Sequence, residues 1–522
     1  MTTSASGAVY HDPYKVEITA NPYPVFKRLR DEAPLYYNEE YDFYAVSRFD
    51  DIERGLKDRE TFSSARGAIV EVIKANPDFP PGLLIFSDPP SHTVYRQLLQ
   101  RMFTPKRLTA LEATVREVSA QCLDPFVGSD GFDFIAHLGS QMPMRIIGAL
   151  LGIPEQDYAA VRDSVDARMR TEAGKAMDVE FDTIGQGFEE YIDWRIQHPS
   201  DDAMTELLSN EIKDEHGVTR RLTRDEALTL VNVLAGAGNE TTNRLIGWTG
   251  KVLSEHPDQR RQIAANPGLI PQAIEEILRF EPPAPHMARY VTRDIELYGQ
   301  KVPAGSAMMF LTGSGNRDDR RFGNGDVFDI HREKRGHLTF GQGIHVCVGA
   351  VLARLEGRIA LEEVLKRFPD WEVDMSRAVL SPTSSVRGWE TLPAYFNGKK
   401  SAKPAPVRSE EPAAAPAPVT APAETTIDGT WTVTIKGPTG PMATTLELSL
   451  ANGTLSGVQS GQGMSSPILD AKFAGGKISW INQITKPMKL KVEFSGAVEG
   501  NTMTGKAKAG FMGSFPFTAT KA

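Results

Sequence analysis

The segment Phe340-Gly341-Gln342-Gly343-Ile344-His345-Val346-Cys347-Val348-Gly349 sets one cysteine among glycines, directly ahead of an apolar run that reads as a helix. A cysteine that ligates iron is deprotonated, and metal coordination together with backbone amides at a helix N-terminus lowers its pKa. Gly341, Gly343 and Gly349 let the backbone turn sharply and approach a flat macrocycle where a Cβ would obstruct it. Taken alone, the segment also fits a buried, inert cysteine in a glycine-rich turn.

Three further groupings carry chemistry. Ala237-Gly238-Asn239-Glu240-Thr241-Thr242 puts a glycine, an acid and alcohols inside an apolar helical run. Gly and Thr are poor helix formers and a partly buried Glu is costly, so a violation there points to function, with a hydroxyl-filled kink as the structural alternative. Glu276 and Arg279 stand at i and i+3 on one helix face and can pair. His92 and Arg96 stand one helical turn apart, so both can point to one anionic group. Alone, each of these charged residues also suits a solvated surface.

The elements that must hold these groups are mostly helical. Thr223 is placed as N-cap with Glu226 three residues on, opening a long helix through Leu234 and Leu245 to Leu253. A second helix is expected from Pro271 to Phe280, stopped by Pro282 and Pro283. Strand-like pieces at Phe43 to Val46 and Ile295 to Leu297 add a minor β component. The expected fold of residues 1–396 is mainly α with small sheets.

Composition narrows the classes. The chain of 522 residues has a net charge of −9 and no concentrated basic face, so nucleic acid is not an expected partner. Cys122 and Cys347, the two cysteines, are too far apart in sequence for a disulfide framework or a paired-cysteine zinc site, which suits a reducing cytoplasm. No leader-like amino terminus and no spanning apolar stretch is present, so neither export nor a membrane anchor is expected.

Taken together, the motifs resemble the cytochrome P450 family, whose haem-binding loop reads Phe-Gly-x-Gly-x-His/Arg-x-Cys-x-Gly. The resemblance runs from about Asp12 to Phe396 with the motifs in order. It implies that Cys347 is the axial thiolate of haem b, with Phe340 near its sulfur and Gly349 closing the loop. It implies that His345, His92, Arg96 and Arg289 bind haem propionates, and that Glu276 and Arg279 hold the haem-binding core. It further implies that Thr241 and Glu240 organise water and deliver protons to iron-bound dioxygen. A hydrophobic small-molecule substrate would meet Leu83, Phe86, Leu234, Ala237, Pro285 and Trp389, with Ile69, Val70, Leu84 and the rest of Pro283 to Met287 as further candidates.

The activity so implied is monooxygenation, with hydroxylation of that substrate by dioxygen. Electrons would originate in NAD(P)H and arrive through a ferredoxin and its reductase, since the chain shows neither a dinucleotide-binding glycine motif nor a cysteine cluster. Arg96, Arg101, Lys106, Arg107, Arg354 and Arg358 are candidates to steer an acidic ferredoxin, with solvated helix faces as the alternative. A peroxide-driven peroxygenase and a non-catalytic haem sensor remain the other readings.

From 397 to 426 the chain is rich in Pro and Ala and reads as a semi-rigid linker. Beyond it the period changes to two, as in Thr430 to Ile435 and Thr445 to Leu450, with hairpin turns at Asn452-Gly453 and Gly475-Gly476. Residues 427–522 are expected to form about eight antiparallel strands, closed as a barrel or folded as a sandwich. This domain carries roughly +4 against about −13 for the remainder. It is expected to be an accessory ligand- or partner-binding module.

Overall fold

In the computed structural model the longest helix spans Arg224–Glu255, because its local signals agree. The Thr223 hydroxyl accepts from the Glu226 amide while the Glu226 carboxylate accepts from the Thr223 amide, a reciprocal cap that satisfies two otherwise orphaned donors. The apolar run that follows buries most of its length, from Leu230 to Leu253. The structure describes residues 7–159, 161–162, 188–333, 335–381, 385–396, 427–437, 440–451, 454–461, 464–474, 476–484, 490–509 and 514–521.

The chain divides into two compact units, residues 1–402 and 403–522. The linker expected at 397–426 lies outside the described residues. The helices of the first unit that position the site are α1 (Ser91–Met102), α2 (Pro105–Leu123), α3 (Met142–Leu151), α4 (Arg224–Glu255), α5 (Ile270–Phe280) and α6 (Ala350–Arg367). α4 crosses the main core and packs on α3, α5 and α6. α5 starts one residue before the expected Pro271, which occupies its first turn.

A five-stranded sheet lies beside this helical core. Its strands are β1 (Leu35–Asn38), β2 (Phe43–Val46), β3 (Phe62–Ser63), β4 (Met287–Val291) and β5 (Ala307–Phe310), in the order β1-β2-β5-β4-β3. Only the β2 and β5 pairing is parallel. Among the described residues no helix is long and apolar enough to cross a membrane.

The second unit is a nearly closed antiparallel barrel of nine strands. They are β6 (Gly429–Gly437), β7 (Gly440–Ala451), β8 (Thr454–Gly461), β9 (Met464–Pro467), β10 (Leu469–Ala474), β11 (Lys477–Ile484), β12 (Leu490–Glu499), β13 (Thr502–Ala509) and β14 (Ser514–Lys521). The order β9-β8-β7-β6-β14-β13-β12-β11-β10 pairs the first strand of the unit with the last, so Trp431 faces Lys521. Inward alternation places Trp431, Trp480, Phe494 and Phe517 in one apolar cluster. Nine strands stand against about eight expected; β9, whose Met-Ser-Ser-Pro has no period-two signal, is held by pairing with β8.

Candidate active site

Cys347 is held by its backbone. Its amide donates to the Phe340 carbonyl at 2.8 Å and the Val346 amide to the Gly343 carbonyl at 3.2 Å, closing a tight loop that feeds α6. Gly343 requires its type: φ is +70°, and an added Cβ would lie 2.7 Å from the Leu56 carbonyl. The loop opens on a cavity of about 310 Å³ lined by Phe340, Gly341, His345, Cys347 and Gly349 below and by Ala237, Gly238, Thr241 and Thr242 of α4 above. The cysteine is exposed to this cavity, and burial in the surrounding protein pushes its thiol pKa up, against the pull of the Gly349 amide, Arg96 and Arg354.

Four basic side chains meet beside the loop. α1 supplies His92 and Arg96, β4 supplies Arg289, and the loop supplies His345. The His92 and His345 rings are 4.4 Å apart. Both nitrogens of His92 and Nε2 of His345 are buried without a hydrogen-bond partner among the described residues. Burial, then Arg96, holds His92 down at about 4, and burial, then Arg289, holds His345 at about 3. Arg289 is also lowered by burial, to about 10, against the pull of Asp88, and among the described residues it donates to the Ala288 carbonyl and, at 3.9 Å, to the Met287 sulfur. Asp88 is the acid acting on His92 and Arg289, and buried cations short of counter-charge are costly, so the cluster suits added anionic groups. α1 is fixed from its other side by Tyr95, whose hydroxyl donates to Glu226 at 2.6 Å while Arg220 binds that carboxylate at 2.7 and 2.8 Å.

On α4 the two residues singled out together go different ways. Thr241 faces the cavity and its hydroxyl donates to the Ala237 carbonyl at 2.7 Å. Glu240 is buried and paired with Arg244 at 2.7 Å, while Arg244 also reaches Ser381 and the Trp389 carbonyl. A second acid, not anticipated, lies at the cavity instead: Glu356 of α6 is fully buried, hydrogen-bonds Thr242, and leaves Oε1 without a partner. Burial raises its pKa to about 8. Its sequence signal was an acid inside an apolar helical stripe, between Leu352 and Ile359.

The Glu356 shift has a measurable consequence. The carboxyl stays protonated in the folded chain up to about pH 8 but ionises near its ordinary 4.5 when unfolded, so the folded state loses ground as pH rises between those values. Glu356→Gln removes that loss. Urea denaturation at pH 5 and pH 8 should show the variant gaining on the parent with rising pH, by an order of a few kcal/mol. Parallel profiles would contradict a buried neutral acid.

Glu276 and Arg279 form a buried bidentate pair at 2.7 Å on α5. Arg279 also donates to the carbonyls of Asn316, Gly325 and Val327, and Glu276 accepts from Arg332 and the Asp329 amide. Asn316 in turn binds the Leu338 amide and the Thr339 hydroxyl, so this network ends next to Phe340.

A family model for cytochrome P450 matches residues 157–388. Cytochrome P450 130 of Mycobacterium tuberculosis is 34% identical over 386 residues, covering 71% of this chain and 94% of that protein. The structure of cytochrome P450 CYP109Q5 from Chondromyces apiculatus superposes with a TM-score of 0.66 at 32% identity, over 74% of this chain and 98% of that one. CYP109E1 from Bacillus megaterium, solved in complex with testosterone, gives a TM-score of 0.65 at 29% identity, over 73% and 99%. The chain belongs to the cytochrome P450 family. As a cytochrome P450 monooxygenase it uses haem b and dioxygen.

The site fits that cofactor on its own terms. A cysteine presented bare to a cavity, glycines around it, and buried imidazole nitrogens without partners among the described residues, flanked by Arg96 and Arg289, suit a flat iron macrocycle bearing carboxylates.

Of the six residues expected to meet substrate, the structure brings Leu234 and Ala237 of this P450 to the cavity. Leu83, Phe86, Pro285 and Trp389 are not among its lining residues. Phe86 instead packs on Phe79 at 5.0 Å, Trp389 on Trp248 at 5.5 Å, and the Pro285 carbonyl accepts from Gly313. Leu83 is buried where its loop closes on α4, with Gly82 tight against the Glu226 backbone. Leu84, Pro283, Ala284 and Met287, also expected as substrate contacts, do line the cavity, together with Ile85. Of the candidate docking cations, Arg107 pairs with Glu206, Arg354 with Glu275, and Arg358 with Glu112 and Glu362; Arg96 faces the cavity, and Arg101 and Lys106 are exposed without an ion pair among the described residues.

Proposed function

We propose that this P450 hydroxylates a hydrophobic small molecule bound between α4 and the cysteine loop, using electrons from a separate ferredoxin and reductase in a reducing cytoplasm. The observation that carries the reading is that Cys347 and Thr241 line one cavity whose other walls are Leu84, Ile85, Leu234, Leu245 and Met287. Haem b, when bound, supplies the reductive activation of dioxygen. Cys347 Sγ would ligate it, and His92, Arg96, Arg289 and His345 would neutralise its carboxylates. The apolar walls hold the substrate and exclude water, favouring a ligand of low polarity; a steroid of the kind bound by CYP109E1 is one such shape.

Thr241 would be the hydroxyl that holds or passes a proton in the cavity, since Oγ1 lines it and could turn there from the Ala237 carbonyl. Glu356, protonated near neutrality and joined to Thr242, is a proton store on the same cavity. Glu240 acts through its pair with Arg244 and must leave that partner to reach solvent or Thr241. Thr241→Ala should therefore lower product formed per dioxygen consumed by roughly tenfold to a hundredfold, with substrate binding unchanged. Measuring product, oxygen uptake and peroxide together checks it; full coupling in the variant would remove the role.

The overall reading is tested by screening hydrophobic compounds for a low-spin to high-spin shift of the haem band. The best binder is then oxidised with dioxygen, ferredoxin and reductase or with hydrogen peroxide alone. Product only with peroxide would replace the monooxygenase reading by a peroxygenase, and no product in either arm would leave a haem sensor.

A further inference from the structure

We propose that the outer face of β10 to β13 in the second unit is a docking surface for an acidic protein; the proposal rests on the reading that electrons arrive on a separate acidic carrier. Lys472 faces Ser479, Ser479 faces Ser495 and Ser495 faces Lys506, so these four side chains form one row across four strands. Lys477 stands in the next row on the same side, opposite Ala497. All five line an open groove of about 600 Å³.

The groove has a physical cause on the other face of the sheet. Gly496 and Gly505 face each other in the inward row, and an added Cβ would lie 3.2 and 2.8 Å from the Phe517 ring. With no side chain between them and the ring, β12 and β13 pack directly on Phe517 beneath the groove that Ser495 and Lys506 line.

Charge decides what the groove holds. No carboxylate lines it, and Lys472, Lys477 and Lys506 are exposed and carry no ion pair among the described residues. Around the cysteine loop Arg107, Arg354 and Arg358 are paired within the first unit, while Arg101 and Lys106 are exposed without an ion pair among the described residues. The groove lysines therefore form one patch of positive charge left available to a partner. The row spans three strand spacings, about 14 Å, too far for one carboxylate or phosphate to engage both ends, so the occupant presents several anionic groups on an extended surface. The groove has no arginine and no aromatic side chain to stack a base, which favours a protein over a nucleic acid. A carrier held on a covalently attached module gains effective concentration near the rest of the chain.

The test uses the full, haem-loaded chain with Lys472→Glu, Lys477→Glu and Lys506→Glu together, against a control with the same charge change at Lys15, Lys213 and Lys301. Turnover is titrated with an acidic [2Fe–2S] ferredoxin and its reductase. The groove variant should need about tenfold more ferredoxin for half-maximal rate, with the saturated rate and the carbon monoxide spectrum unchanged and the difference shrinking in high salt. An unchanged half-saturation, or an equal rise in the control, overturns the proposal. If ferredoxin fails to drive the parent chain, the electron-donor reading falls by itself, and binding of a poly-L-glutamate peptide then judges the groove. Equal binding by parent and groove variant, or tighter binding of a single-stranded oligonucleotide of matched charge, overturns it.

Discussion

Cys347→Ser is expected to abolish both monooxygenation and the long-wavelength Soret band of the reduced, carbon monoxide-treated protein. The loop is shaped by backbone hydrogen bonds, from Cys347 to Phe340 and from Val346 to Gly343, and by the left-handed turn at Gly343. Serine preserves all of these. It does not preserve the donor: burial already raises the thiol here, and an alcohol far weaker as an acid stays protonated and offers iron a poor ligand. The unfolding free energy of the haem-free chain should change by less than about 1 kcal/mol, as for other substitutions that leave packing alone. A serine variant that kept the band would show that another residue ligates the iron.

The second large effect is on the fold. Glu276→Gln is expected to cost about 3 to 5 kcal/mol, a large part of the 5 to 15 kcal/mol that stabilises an ordinary domain. The reason is the count of donors around one carboxylate: two from Arg279, one from Arg332 and the Asp329 amide. Glutamine leaves a buried arginine with uncompensated charge. The damage also reaches the cofactor loop, since Arg279 fixes the Asn316 carbonyl and the Asn316 side chain fixes Leu338 and Thr339. Urea denaturation and the rate of haem transfer to apomyoglobin measure the two effects. A loss of stability under about 1 kcal/mol would assign the pair to the ordinary surface class.

The parts of the site legible in sequence are those fixed by local chain geometry. The glycine-punctuated loop at Cys347, the reciprocal cap at Thr223 and the i, i+3 pair at Glu276 each need only neighbours in sequence to form. Convergence of His92, Arg289 and His345 depends on tertiary structure, and the family resemblance rather than periodicity suggested it. What escaped the sequence were choices made by packing. Spacing alone does not tell that Glu240 turns to Arg244 while Glu356, more than a hundred residues later, turns to Thr242. Nor does it tell that Leu84 and Ile85 face the cavity while Leu83 and Phe86 do not, because that depends on how the short turn at Leu84–Phe86 rotates each side chain. The paired arginines around the cysteine loop show the same limit, since their partners come from other helices.

The pairing of β6 with β14 brings the first and last strands of the barrel side by side, with Trp431 opposite Lys521. The two ends of that module therefore lie roughly one strand spacing apart, about 5 Å. A body whose ends almost meet can be spliced into a surface turn of an unrelated host, or reopened at another hairpin and rejoined, without redrawing its interior. Such portability makes the barrel a cassette, and a graft of it onto a different catalyst would carry along whatever its lysine-lined groove recognises.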